Sequence, residues 1–326
     1  MARRRTVLSV LALGVVLLCG LAFQARWKLG QLRESHPPEG RFVEVDGFQL
    51  HYLRAGEGPA VLLLHGSPGR VEDWTLTMDG QPSVFESLSA DFTVIALDRP
   101  GNGWSPLHAN GPTGLIEQAD LVPRFLEAID VPRAVLVGHS YGGGLILGVA
   151  VRHPEVVAGL VFVAGVAYPH DFADGLMRVM AFPGVGSVFR WSLVPIVFPV
   201  VLPARLQEAA GPNPVSDAYR EAFVPFFARP DNLLQMSSEQ IALGEEMARV
   251  AAGYAMLATP LWIVVGDADD PVLLDHARRL AVDVPGARLE ILPSLGHFVP
   301  HVRPDAVVAA VRRAAESLPR HAPSHQ

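Results

Sequence analysis

The chain has 326 residues, half of them hydrophobic and 18% charged, which is enough apolar material for a large buried core. Its 26 basic and 33 acidic side chains leave a formal charge of −7, so composition speaks against a basic face for nucleic acid. The single cysteine, Cys19, excludes an intramolecular disulfide and any cysteine-based zinc site; HExxH and P-loop motifs and internal repeats are absent.

Arg3, Arg4 and Arg5 precede an uncharged apolar run from Thr6 to Phe23, and Arg26 and Lys28 follow it. At about 1.5 Å per residue such a run is long enough to cross the hydrocarbon core of a bilayer. Residues 1–30 therefore read as a membrane anchor or an export signal. Only Gly20-Leu21-Ala22 resembles a cleavage site, which favours the anchor. The basic cluster stays cytoplasmic by the positive-inside rule, so the rest of the chain is expected on the extracytoplasmic side. Arg4-Arg5-Thr6-Val7-Leu8 loosely resembles a twin-arginine signal, which leads to the same side, and export after cleavage is the alternative.

Gln31 to Gly40, with Pro37-Pro38, reads as a linker. Phe42 to Val45 and Phe48 to Leu53 flank Asp46-Gly47, a hairpin signal. Candidate strands follow at Ala60–Leu64, Phe92–Leu97, Ala134–Val137, Val157–Val163, Leu261–Val265 and Arg288–Leu292. Candidate helices alternate with them at Ser83–Ala90, Leu115–Ile129, Tyr141–His153, Leu274–Val282 and Pro304–Ser317, with Pro123 counting against the second. This alternation predicts an α/β fold, a mostly parallel sheet with helices on both faces. It breaks at 166–258, a strand-free stretch after the sixth strand that reads as a helical cap ending in a helix over Ser238–Met256. The core then comprises 31–165 and 259–318, and the polar tail, 319–326, is expected to be disordered.

Gly138-His139-Ser140-Tyr141-Gly142 sits between a buried strand and an apolar helix, where the chain must turn sharply. A serine on that turn adopts a strained backbone, and glycines at 138 and 142 let strand and helix approach. The hydroxyl is then lifted above the sheet edge, and the Tyr141 N–H points from the helix N-terminus toward a developing oxyanion. Spacing and context both match a G-x-S-x-G nucleophile elbow. A serine needs a base, and the base needs an acid to set its tautomer. Open parallel sheets carry such groups after the carboxyl ends of strands. His297 follows the last strand, with His301 as a competitor, and Asp267, Asp269 and Asp270 follow the strand before it. The loop after Val163 holds no carboxylate.

From about Arg41 to Ser317 the chain resembles the α/β-hydrolase superfamily. His65-Gly66-Ser67-Pro68-Gly69 resembles its HGxP oxyanion loop, Asp98-Arg99-Pro100-Gly101-Asn102-Gly103-Trp104-Ser105 its DxPGxGxS turn, and Gly266, Asp269 and Val272 its GxxDxxV pattern. The resemblance implies a triad of Ser140, Asp269 and His297, an oxyanion hole from the N–H groups of Ser67 and Tyr141, and structural roles for His65, Asp98 and Arg99. The HGxP loop with Trp74 is similar to that of epoxide hydrolases and haloalkane dehalogenases, but those carry aspartate at the elbow where this chain has Ser140. Acyl transfer to water is the implied chemistry, on a carboxylic ester or related small apolar acyl substrate, with no metal or other cofactor. Carbon–carbon, amide, peptide or epoxide-type hydrolysis and perhydrolysis are the alternatives on the same scaffold, and a non-catalytic binding protein is the rival class. The sequence leaves oligomeric state open. Phe182, Phe189, Trp191, Leu193, Ile196, Phe198 and Val200–Leu202 crowd a short proline-rich stretch of the cap. They are expected to pack on the core, to roof the acyl pocket or to face the bilayer, with Trp191 and Phe198 the candidates for substrate contact.

Overall fold

The computed structural model describes residues 2–316 except 79, 109, 110 and 112, so the expectation for 319–326 lies outside the described residues. Helix α1 runs Ala2–Ser35; then come β1 (Arg41–Val45), β2 (Phe48–Ala55), β3 (Ala60–Leu64), α2 (Val84–Ser89), β4 (Thr93–Leu97), α3 (Leu115–Ala128), β5 (Ala134–His139), α4 (Tyr141–Arg152) and β6 (Val157–Val163). Five helices follow: α5 (Gly175–Ala181), α6 (Val185–Ser192), α7 (Val194–Ala210), α8 (Asp217–Phe227) and α9 (Pro230–Ala251). The chain ends with β7 (Leu261–Gly266), α10 (Pro271–Asp283), β8 (Arg288–Leu292), α11 (Val299–Val302) and α12 (Pro304–Glu316).

The eight strands form one sheet in the order β1-β2-β4-β3-β5-β6-β7-β8, and only β2 runs against the rest. Both Asp46 and Gly47 have positive φ, as a two-residue hairpin turn demands. Period-two alternation splits each central strand between two cores. Leu62, Leu64 and Leu136 join the layer under α3, α4 and α10, whereas Val61, Leu63, Val135 and Val137 join the layer under α2 and α12. Helix α3 continues through Pro123 because Leu115, Ala119, Val122, Phe125 and Leu126 are buried along one face. That packing outweighs a proline cost of about 3 kcal/mol.

The stretch read as a linker from Gln31 is helical through Ser35. Leu32 is buried, and the His36 ring meets Phe226 of α8 edge-on at 6.1 Å, so contact with the cap holds the last turns of α1. Within α1 the segment Ala12–Ser35 is long and apolar enough to cross a membrane.

The helices between β6 and β7 are joined to the sheet by a buried polar network. Arg99, after β4, donates through Nη1 to Glu239 Oε1 of α9 at 2.5 Å and to Gln118 Oε1 at 2.8 Å. Gln118 in turn donates to Glu239 at 2.8 Å. Both charges of the Arg99–Glu239 pair are fully buried. Removing one partner of a buried pair strands the other charge. Glu239→Gln should therefore cost about 3 kcal/mol or more, read as a lowered thermal unfolding midpoint of the full chain; an unchanged midpoint would show that the pair does not join the two parts.

Candidate active site

Ser140 lies between β5 and α4 with φ 55° and ψ −118°, a conformation an L-residue holds only under constraint. A Cβ added to Gly138 would sit 2.0 Å from the Gly142 carbonyl oxygen, and one added to Gly142 would sit 2.1 Å from the Leu64 oxygen. No side chain fits at either position. The Ser140 N–H donates to Val163 O at 3.0 Å, and its carbonyl accepts from Gly143 and Val166, so the strain is held by hydrogen bonds on both sides. Tyr141 is the first residue of α4, which puts its N–H at the helix N-terminus.

The loop after β3 reaches the serine from the other side. A Cβ on Gly66 would lie 3.0 Å from Ser140 Cβ, and Ser67 borders the same cavity as Ser140. The peptide between Ser67 and Pro68 is cis. His65 holds this loop rather than acting in it. Its Nε2 accepts the Arg99 N–H at 3.0 Å, so its Nδ1–H donates to Gly66 O at 2.8 Å. Burial, and then the Arg99 charge, push its pKa down to about 3, so it stays neutral. Arg99 also donates to His65 O at 3.1 Å and Gly66 O at 2.6 Å. Asp98 ties the same loop to the next turn by accepting from Val71 at 2.8 Å and Trp104 at 2.7 Å.

The three acids after β7 separate by geometry. Asp267 accepts the Ser294 N–H at 2.7 Å and joins two loops, and Asp270 caps α10 through the Val272 N–H at 2.8 Å. Asp269, itself buried, faces His297, whose Nδ1 lies 3.0 and 3.2 Å from its two oxygens. A carboxylate only accepts, so Nδ1 carries the hydrogen and Nε2 keeps its lone pair. Burial pulls the His297 pKa down, but Asp269, by charge and hydrogen bond, with Asp270 behind it, outweighs burial and leaves the value raised. His301 points elsewhere, its Nδ1 3.0 Å from Leu76 O.

Ser140 and His297 border two cavities. One, of about 200 Å³, is walled by Leu202, Leu206, Phe223, Phe227 and Phe298, with Ser67, Asp73, His139 and Tyr219 among its polar contacts. The other, of about 510 Å³, is lined by Arg205, Glu208, Gln240 and Asp270 alongside Tyr141, Phe172 and Leu273. An apolar chamber and a more polar one thus meet at the serine. Neither Trp191 nor Phe198 lines either of them, which corrects the expectation from sequence. Trp191 sits on α6 beneath the Arg26 guanidinium, and Phe198 lies a turn beyond the cavity face of α7, stacked on Phe227. Among the described residues no group of three or more His, Cys, Asp or Glu could hold a metal ion.

Two further residues escaped the sequence reading. His139, the variable residue before the serine, places its ring 4.7 Å from that of His297 and bonds the His297 carbonyl through Nε2 at 2.9 Å. Burial, then the charge that His297 carries when protonated, lower its pKa well below the usual range, so of the two rings His297 is the one that takes up a proton. Asp73 is the second; a carboxyl in the loop after β3, close behind the HGxP-like stretch, was the signal that could have flagged it. Its Oδ1 accepts from the Tyr219 hydroxyl of α8 at 3.3 Å.

With this geometry, the sequence comparisons decide the family, because the alpha/beta hydrolase family model matches residues 61–310. The chain belongs to the alpha/beta hydrolase family. The hydrolase is 27% identical over 298 residues to an uncharacterized protein of Mycobacterium tuberculosis, covering 87% of this chain and 83% of that one. It is 26% identical over 268 residues to the 2-hydroxymuconate semialdehyde hydrolase of Pseudomonas sp. strain CF600, covering 81% and 89% of the two chains. The solved structure of a membrane phospholipase A, described as a bacterial virulence factor, shares the fold at TM-score 0.62 and 21% identity, over 96% of this chain and 98% of that one.

Burial, and then the Glu72 charge, push the Asp73 carboxyl up to about 8, against 3.8 for the ordinary group. The unfolded chain thus ionises this group near pH 4, whereas the folded hydrolase keeps its proton until about pH 8. Between those values the folded state binds one proton more, so stability falls as pH rises. Asp73→Asn should flatten that fall, read from thermal midpoints across pH 4 to 8; identical slopes for the two proteins would show that Asp73 is ionised.

Proposed function

We propose that this hydrolase cleaves carboxylic esters of apolar acyl groups through a Ser140–His297–Asp269 triad, held to the membrane by α1. Ser140 Oγ attacks the acyl carbonyl while His297 Nε2 takes its proton, and the N–H groups of Ser67 and Tyr141 receive the oxyanion. His297 returns the proton to the departing alkoxide as the carbon–oxygen bond breaks, leaving an acyl-serine. Water, deprotonated by the same histidine, then releases the acid and restores Ser140. The observation that carries this reading is the contact at 3.0 Å between His297 Nδ1 and Asp269, on loops bordering the same cavities as a serine held at positive φ. The walls of the smaller cavity support an apolar acyl group. Similarity to a 2-hydroxymuconate semialdehyde hydrolase supports a second reading, cleavage of a carbon–carbon bond next to a ketone by the same groups.

Steady-state kinetics on p-nitrophenyl esters of increasing chain length, beside a vinylogous diketone, test both readings. Ester turnover should rise about fourfold in kcat/KM per added methylene until the cavity is full, since each buried methylene contributes about 0.8 kcal/mol. The acid limb of the profile should lie above pH 6.5, because His297 must be neutral to act as base and its pKa is raised. Asp269→Asn should cut kcat by about 10⁴, with Asp270→Asn far milder. Turnover of the diketone alone would select the second reading, and a mild effect at Asp269 would overturn the triad.

A further inference from the structure

The 25 residues from Val179 to Pro203 contain a single charged side chain, Arg190, and it is buried, donating to the Met180 carbonyl. Around it the cap turns its apolar side chains outward. Eleven large hydrophobic residues between Leu176 and Val201 are exposed, whereas in the rest of the chain after α1 the described residues expose only five. Nine lie on α5, α6 and α7, consecutive helices each in contact with the next, and Phe182 and Leu193 lie in the turns that join them. Exposed apolar side chains clustered on consecutive, contacting helices mark an interaction surface rather than a packed core.

The position of α1 says what covers it. Helix α1 has 34 residues, about 51 Å at about 1.5 Å per residue. Ala25 is the first buried residue among its described side chains, and from there the helix lies along the cap. Arg26 sits over the Trp191 ring of α6 at 5.1 Å. The preceding turns, about 35 Å of helix with Leu13, Val16, Leu17 and Phe23 exposed, extend from the same side of the molecule that carries the apolar patch. That length matches a hydrocarbon core of about 30 Å. Arg26 and Lys28 then fall where phosphate headgroups begin.

We propose that the outer face of α5–α7 docks on the lipid surface of the bilayer that α1 enters, so that the cap rests in the interface while the sheet stands clear of it. This rests on the reading of α1 as an anchor. Helix α7 links the surface to the site: Leu202 and Leu206 wall the acyl chamber, while Val200 and Val201, just before Leu202 on the same turn, are exposed. An amphiphilic ester in the leaflet on which the cap rests is thereby separated from the chamber at Ser140 by helix α7, and such esters are the substrate class the docking favours.

The test uses the full chain in a Cys19→Ser background, reconstituted into phosphatidylcholine–phosphatidylglycerol vesicles. A nitrobenzoxadiazole probe is placed at Leu17→Cys, Phe182→Cys, Val200→Cys or Val282→Cys. Val200 and Val282 are 78% and 82% exposed, so the label displaces nothing, and thermal midpoints check the fold. Lipids carrying an acyl-chain nitroxide should quench positions 17, 182 and 200 strongly and 282 not at all, while aqueous iodide should do the reverse. Quenching by lipid at 17 but by iodide at 200 leaves the anchor standing and overturns the docking. Shielding of 200 from both quenchers means that a second copy covers the face, which also overturns it. Iodide quenching at all four positions removes the anchor along with the docking.

Discussion

Everything in this site depends on how closely three backbones can approach one another. The end of β5, the start of α4 and the loop after β3 converge on Ser140, and at Gly138 and Gly142 the space left for a side chain is less than that of a methyl group. Only under that constraint does the serine keep its positive φ, and only there does its side chain stand at the mouth of two cavities with a helix N-terminus behind it. The histidine is brought to the same point by backbone as well as side chain. His139 holds the His297 carbonyl, and Asp267 joins the loops that carry Asp269 and His297.

The second shared element is the Arg99 network. A guanidinium that grips two carbonyls of the loop after β3 and a carboxylate of α9 makes loop and cap one mechanical unit. A hydrophobic contact could join the same helices at comparable stability. It would not orient the carbonyls of His65 and Gly66, and through them the peptide N–H groups that follow. The buried ion pair is thus better understood as a positioning device than as a source of stability.

All eight strands were legible because their period and apolar runs are local properties, and the elbow was legible because glycine spacing encodes backbone geometry directly. Asp269 was not separable from Asp267 and Asp270 by local chemistry, since three carboxylates on one loop look alike until their partners are known; a family pattern chose among them. Glu239 lies 140 residues from Arg99, and Asp73 lies 146 from Tyr219, so no window along the chain could pair them. Trp191 and Phe198 failed for a different reason. They lie in a proline-interrupted stretch that forms two helices meeting at 70°, and which turns of those helices reach the cavity is set by that angle and not by their hydrophobicity. The last turns of α1 were hidden likewise, because Leu32 is held by a cap that comes much later in the chain.

The proposed chemistry depends on Ser140 as the nucleophile, and covalent capture examines that most directly. After exposure of the full chain to a fluorophosphonate, peptide mapping by mass spectrometry should find a single adduct on the peptide carrying Ser140. Ser140→Ala should show none while keeping its thermal midpoint, because a methyl group fits where the hydroxyl was. An adduct on another serine, or labelling that persists in Ser140→Ala, would contradict the account.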